Sequence, residues 1–212
     1  MKLNKLVVRN FRCLKEASLD CDQLTVLVGA NGAGKSAFLR ALDLFYNPRG
    51  SYDEEDFYSR QADKPIEIEM TYDGLSQAES THFGGYVIGG EMTIVKVLTW
   101  PLSRNSQQYY GIMMRHTPFD AIRGATSAAE KKDLYEEFRK KDEYRNLPKW
   151  SNQADSLDAL EVWERGHRSA CALARDDGDV FGFDGVGAGG LERFTRFIIV
   201  RAVQDASDLS SD

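Results

Sequence analysis

Residues 29–36 read Gly29-Ala30-Asn31-Gly32-Ala33-Gly34-Lys35-Ser36 and follow the phosphate-binding loop pattern G-x-x-x-x-G-K-S/T. Glycines in such a loop adopt left-handed backbone conformations without steric cost, so the backbone N–H groups can turn toward a polyphosphate. The N-terminus of the helix that follows favours the same negative charge. In this pattern the lysine reaches the β- and γ-phosphates, and the serine hydroxyl ligates Mg²⁺. We therefore expect all of residues 29–36 to bind a nucleoside triphosphate, with Ser36 as a ligand of Mg²⁺.

The segments on either side of the loop fit this prediction. Residues 24–28 are apolar and rich in β-branched side chains, which is typical of a buried strand. Residues 35–46 contain helix formers and are apolar almost all round, which predicts a helix packed in a core. A strand before the loop and a helix after it are the context that the motif requires. A glycine turn without a ligand is therefore the weaker interpretation, and the pattern predicts an α/β fold of the phosphate-loop class.

The composition is that of an ordinary globular protein. The chain has 212 residues, of which 42% are hydrophobic and 28% charged, and its net charge is −6. An acidic balance argues against non-specific binding of a nucleic-acid backbone by these residues alone. The sequence has neither an apolar run long enough to span a membrane nor a signal peptide, so we expect a cytoplasmic protein. Its three cysteines are widely spaced and predict no zinc site or disulfide framework.

Three parts are predicted within a single, incomplete ATPase domain: a phosphate-loop and β-rich core at 1–116, a helical segment at 117–190, and a returning strand and tail at 191–212. We expect a mixed, largely parallel sheet to hold the loop, with an antiparallel β layer beside it. Alternating or apolar patterns predict further strands at 2–9, 16–20, 65–72, 91–100, 107–115 and 195–200. Helical periodicity predicts two further helices at 128–144 and 155–174.

ATP hydrolysis needs more than a phosphate loop, because an aspartate on a second strand must help to hold Mg²⁺. The apolar run 197–200 is the best candidate for that strand, but Arg201 follows it and Asp205 comes too late. The glycine-rich residues 187–192 resemble the signature of ABC-type ATPases but lack its serine, so we interpret them as a loop. We therefore assign no catalytic residue, and we expect this chain to bind ATP–Mg²⁺ but to hydrolyse it very slowly.

Residues 1–42 resemble the opening of the RecF, SMC and OLD (overcoming lysogenization defect) group of ABC-type ATPases. The resemblance is carried by the Asn10-Phe11-Arg12 turn, by the apolar run and loop at 24–36, and by Leu39-Arg40-Ala41-Leu42. Residues 66–79 and 197–207 are similar to OLD-family proteins in particular. The Asn-Phe-Arg turn is the distinctive element, because other phosphate-loop classes rarely have it.

The resemblance implies ATP-driven dimerisation of two ATPase heads in a longer protein. In OLD proteins a metal-dependent nuclease domain follows the ATPase, so the resemblance implies action on DNA, in phage defence or repair. The sequence ends before the signature, the acidic strand and the nuclease. We therefore expect a truncated or split product, completed by a second copy or by a missing C-terminal half. Arg12 would then lie near the phosphates or adenine of ATP, although a surface arginine that braces a turn is an equal alternative.

Two other functions stay open at this point. A small phosphate-loop kinase has a similar length, but such kinases usually begin with the loop strand itself and carry an arginine-rich lid, and this sequence does neither. A non-catalytic module that dimerises when it binds nucleotide would need no further motif. A GTPase is disfavoured, because the sequence has no Asn-Lys-x-Asp motif.

Overall fold

The computed structural model describes residues 1–176, 191 and 193–200. Seven strands in these residues form one sheet, in the order β2-β1-β3-β5-β6-β7, with β4 beside β5. Every pairing in it is antiparallel. The strands are β1 (Lys2–Phe11), β2 (Leu14–Asp20), β3 (Ile66–Asp73), β4 (Val87–Ile88), β5 (Glu91–Leu98), β6 (Gln107–Arg115) and β7 (Ala172–Arg175).

Five helices accompany this sheet in the described residues. They are α1 (Lys35–Tyr46), α2 (Gln77–Phe83), α3 (Asp120–Gly124), α4 (Ala128–Arg139) and α5 (Gln153–Gly166), with short 3₁₀ turns between several of them. The helix predicted after the phosphate loop is confirmed by α1. The helix predicted at 128–144 is shorter, because α4 ends at Arg139 and a separate 3₁₀ turn follows.

Two apolar segments that were predicted as strands are not strands. Residues 24–28 lie outside the sheet, and Leu24, Val26 and Val28 are 82%, 70% and 89% exposed. Residues 195–200 are also irregular, with exposed apolar side chains at 198–200. A strand needs a neighbour to accept and donate its backbone hydrogen bonds. Neither segment has one in the described part of the chain, and so the expected parallel component of the sheet is wrong for these residues.

The helix predicted at 155–174 is also corrected. Helix α5 ends at Gly166, and residues 172–175 form the edge strand β7 instead. Glycine is a poor helix former, and the chain turns at His167, which follows it. The apolar spacing that continued past Gly166 therefore reflects two different elements.

Two separate apolar cores result. The larger lies between α1 and the sheet, where alternate side chains of β1, β3 and β5 point inward. Its most buried members include Leu6, Val8, Phe11, Ala41, Leu44, Phe45, Ile66, Ile68, Met70 and Ile94. The smaller core is built only by residues 119–163, from Phe119, Ile122, Tyr135, Tyr144, Leu147, Leu160 and Trp163. The predicted three-part division of the chain stays a prediction.

Polar side chains from the sheet hold the C-terminal end of α1. The fully buried Lys96 of β5 donates from Nζ to the carbonyl oxygens of Leu44 (2.5 Å) and Asn47 (2.8 Å). The Tyr109 hydroxyl of β6 donates to the carbonyl oxygen of Phe45 (2.6 Å). The last carbonyls of a helix have no partner within it, so the buried amine of Lys96 and the Tyr109 hydroxyl supply the donors that they lack. These contacts fix the helix whose other end begins at the phosphate loop.

The buried Lys96 predicts a pH-dependent stability. Burial lowers its pKa to about 7, against the opposing effect of Asp43. The pKa of an unfolded lysine is about 10.4, so between these values the unfolded chain binds more protons at this site. The free energy of unfolding should therefore gain up to about 1.4 kcal/mol per pH unit from this site as the pH rises through that window. Below the folded pKa the contribution is constant.

Urea unfolding of the native protein and of Lys96→Met at about pH 7 and about pH 9.5 measures this effect. Tyrosines and other lysines titrate in both proteins. The difference between the two proteins in how the free energy of unfolding changes with pH therefore isolates Lys96. We expect the smaller slope for Lys96→Met. Identical slopes would show that Lys96 keeps an ordinary pKa in the folded state.

Candidate phosphate-binding site

The loop between β2 and α1 has the backbone that its glycines predict. Gly32 and Gly34 have φ angles of 84° and 92°, in the left-handed region. Helix α1 begins directly after Gly34, which is its N-cap residue. No side chain caps this helix end, and its first turn carries no acidic residue. The first N–H groups of the helix are therefore left without an intrahelical or side-chain partner, which is the arrangement that binds an anion.

The turn between β1 and β2 packs closely against the loop. A Cβ atom placed on Gly34 would lie 2.8 Å from Cδ2 of the buried Leu14 and 3.4 Å from Sγ of Cys13. A glycine is therefore needed at position 34 both for its backbone conformation and for this close approach. The turn and the loop together enclose an open depression of about 500 Å³, lined by Arg12, Cys13, Asn31, Gly32, Gly34, Lys35, Ser36 and Ala37.

Most of the residues predicted to bind nucleotide thus lie at one depression. The exceptions are Gly29, Ala30 and Ala33, which shape the loop instead. The N–H of Ala33 donates to the carbonyl oxygen of Ala30 (3.2 Å) and closes a turn. Sequence reasoning missed Cys13 and Ala37, which line the depression through their neighbours in the chain rather than through a motif of their own.

The Lys35 side chain folds back over the loop. Its Nζ atom donates to the carbonyl oxygens of Gly29 (2.7 Å) and Ala30 (2.8 Å). These bonds tie the entrance of the loop to the first residue of α1. A phosphate oxygen would compete with the two carbonyls for the same ammonium, and a charged acceptor makes the stronger bond.

Arg12 is held at the edge of this depression. Its φ angle is 51°, and its backbone N–H donates to the carbonyl oxygen of Asp56 (2.6 Å). Its Nε atom donates to Oδ1 of Asp56 (2.7 Å), and its guanidinium carbon lies 5.4 Å from the centroid of the buried Phe11 ring. Arg12 therefore braces a turn and also faces the phosphate loop, so it combines both interpretations of the sequence. Its contact with nucleotide stays a prediction.

The two loop glycines make a matched test of this geometry. Gly32→Ala meets no atom within 4 Å, so only the left-handed backbone is penalised, by about 1 kcal/mol. Gly34→Ala adds a contact with the packed Leu14 side chain, which raises the cost by about 1–3 kcal/mol more. Urea unfolding should therefore give a lower free energy of unfolding for Gly34→Ala than for Gly32→Ala. Equal stabilities would contradict the close packing of the turn, and partial recovery in Gly34→Ala/Leu14→Val would support it.

Two histidines away from the depression have structural roles. His116 is buried, with its ring nitrogens 2.8 Å from the Tyr144 hydroxyl and 2.8 Å from the Ala170 carbonyl oxygen. His167 stacks on Trp163 at the end of α5. No group of three or more His, Cys, Asp or Glu side chains with metal-binding geometry occurs in the described residues. Asp205, and the glycine-rich residues 187–192 apart from Leu191, lie outside the described part.

None of the helices described has the length and apolar character of a membrane span.

The chain is similar in sequence to known ATPases and nucleases. A sequence profile of the AAA ATPase domain matches residues 1–212, the whole chain. Over 76 residues, or 34% of this chain, the sequence is 40% identical to the OLD nuclease of Thermus scotoductus. Over a stretch of 76 residues it is 29% identical to endonuclease GajA of Bacillus cereus. These matches span 14% and 13% of the two relatives, and they confirm the resemblance to OLD-family ATPases.

Proposed function

We propose that this chain, which belongs to the AAA ATPase domain family, binds ATP with Mg²⁺ at residues 29–36. One observation carries the proposal: the N-terminus of α1, unlike those of α2, α4 and α5, has no side-chain cap. Its free N–H groups open on the depression that Lys35 and Ser36 line. A polyphosphate supplies the missing acceptors and the negative charge that this end of a helix favours.

Each residue of the loop then has a definite role. The backbone N–H groups of 32 and 34–36 surround the phosphates, and the Lys35 ammonium exchanges its two carbonyl partners for phosphate oxygens. The exposed hydroxyl of Ser36 fits a Mg²⁺ ligand, because Mg²⁺ prefers oxygen donors and keeps several waters. Bound Mg²⁺ would neutralise charge on the phosphates. No acidic side chain that could help to hold Mg²⁺ lines the depression in the described residues, so we expect slow hydrolysis by this chain alone.

We further infer that the chain forms the ATPase portion of an OLD-like nuclease. The proteins it matches carry the names nuclease and endonuclease, and the family match favours an ATPase over a small kinase. The complete protein would act on DNA, in phage defence or repair. A second copy, or a C-terminal half, would supply the groups that complete the ATP site.

Titration of fluorescently labelled ATP, with and without Mg²⁺, tests the proposed function. We expect saturable binding that Mg²⁺ strengthens, with little release of phosphate by the chain alone. Size-exclusion chromatography with and without ATP would show whether binding drives dimerisation. No binding at either condition would refute the ATP site, whereas rapid phosphate transfer to a nucleoside would support the kinase instead.

A further inference from the structure

The acidic segment 53–56 contacts, through Asp56, the turn that carries Arg12 at the edge of the depression. Asp56 accepts two hydrogen bonds from Arg12, one at its carbonyl oxygen and one at its carboxylate. The first fixes the backbone of the turn that carries Arg12, and the second fixes its guanidinium. No other residue described here makes a hydrogen bond or ion pair with the Arg12 side chain.

Asp56 is itself rigidly held. Its side chain is only 12% exposed, and its second carboxylate oxygen accepts from the N–H of Asp53 (3.3 Å). Asp53 in turn accepts from the N–H of Glu55 (2.8 Å), which completes a capping box around a 3₁₀ turn. The next residue, Phe57, is buried in the main core and pairs with Phe11. A carboxylate anchored in this way restricts the orientation of the arginine bound to it.

The guanidinium keeps most of its binding capacity in this position. Only Nε bonds to Asp56, and the two terminal nitrogens have no partner in the described residues. Those nitrogens form the planar fork that recognises phosphate oxygens in pairs. The side chain is 43% exposed and lines the same depression as Lys35 and Ser36.

We propose that Asp56 is a positioning residue, which orients the Arg12 guanidinium so that its terminal nitrogens bind the polyphosphate of the nucleotide. This inference rests on the proposed ATP site. It reverses the simple electrostatic expectation. A carboxylate near a polyphosphate is repulsive, so its neutralisation alone would tighten binding. If orientation matters more, its neutralisation weakens binding.

The test compares Asp56→Asn with Arg12→Ala by titration of labelled ATP–Mg²⁺, at a temperature where all variants are folded by circular dichroism. Each change should weaken binding by about tenfold, the value of one charge-assisted hydrogen bond. The double variant should lose little more than Arg12→Ala alone, because Asp56 acts on the nucleotide only through Arg12. Arg12→Lys should resemble Arg12→Ala, since an ammonium keeps the charge but has no fork.

Two controls separate orientation from folding. Asp53→Ala removes the acceptor of the Glu55 N–H but keeps the backbone N–H that binds Asp56, and Glu55→Gln removes a neighbouring exposed charge that pairs with Arg60. Both should bind ATP as the native chain does. Unchanged or tighter binding by Asp56→Asn, an additive double variant, or equal loss in Asp53→Ala would each overturn the role of Asp56. In those cases the native chain still binds ATP, so the proposed function would stand.

Discussion

Lys35→Ala is expected to weaken the binding of ATP–Mg²⁺ by at least roughly 100-fold, which corresponds to the loss of charge-assisted hydrogen bonds to phosphate. The ammonium is the strongest positive group that the motif places against the β- and γ-phosphates. Arg12 is the only other cation that lines the depression in the described residues, and its contact with Asp56 holds it at the edge, so we do not expect it to replace the ammonium. Binding should fall to the limit of detection.

The same substitution also tests the loop without nucleotide. Lys35 ties α1 to the carbonyl oxygens of Gly29 and Ala30, so its removal should loosen the loop entrance. Hydrogen exchange of 29–34 should become faster in Lys35→Ala, while the exchange of β3 stays unchanged. Lys149→Ala, an exposed lysine between α4 and α5, is the matched control and should leave ATP affinity unaltered. Equal affinity of Lys35→Ala and the native chain would refute the role given to Lys35.

Glu164→Ala should cause the largest loss of stability, about 3–5 kcal/mol, because it leaves the buried Arg123 guanidinium with only the longer ion pair to the exposed Asp120 (3.7 Å). The Glu164 side chain is 2% exposed and accepts from the backbone N–H of His116 (2.7 Å) and from Arg123 Nη2 (2.8 Å). These bonds join α5 to the end of β6 and to α3. Arg123 is 7% exposed, so water cannot replace the carboxylate.

Urea unfolding followed by circular dichroism measures this loss. Asp158→Asn, on the exposed face of the same helix, should change the free energy of unfolding by less than about 0.5 kcal/mol. Glu164→Leu/Arg123→Leu removes both charges and should recover much of the stability, since buried pairs are replaceable by apolar side chains. A loss below about 1 kcal/mol for Glu164→Ala would mean that the pair is better solvated than its burial indicates.

Local periodicity predicted strands β1, β2, β3, β5 and β6 and helix α1, because each of these elements repeats its pattern over several residues. Strand β3 alternates buried and half-buried residues along its whole length, so a single segment contains the signal. The loop motif was equally local. Its glycine positions followed from the backbone conformations that only glycine adopts easily.

The errors have a different origin. Apolar composition shows that residues 24–28 suit a sheet, but it cannot show whether neighbouring strands are present. The contact between Arg12 and Asp56 joins residues 44 positions apart, and that between Lys96 and Leu44 joins residues 52 apart. No local pattern indicates either pair. For the same reason, the sequence could place Arg12 near the nucleotide only through resemblance.

The apolar run at 24–28 leads directly into Gly29, whose carbonyl oxygen holds Lys35. Any surface that covered this run would therefore also restrain the entrance to the phosphate loop. Thermodynamic reciprocity then requires that a bound nucleotide strengthen the association by the same factor by which the association strengthens nucleotide binding. In that case one short stretch of backbone, residues 24–29, would couple assembly to nucleotide binding.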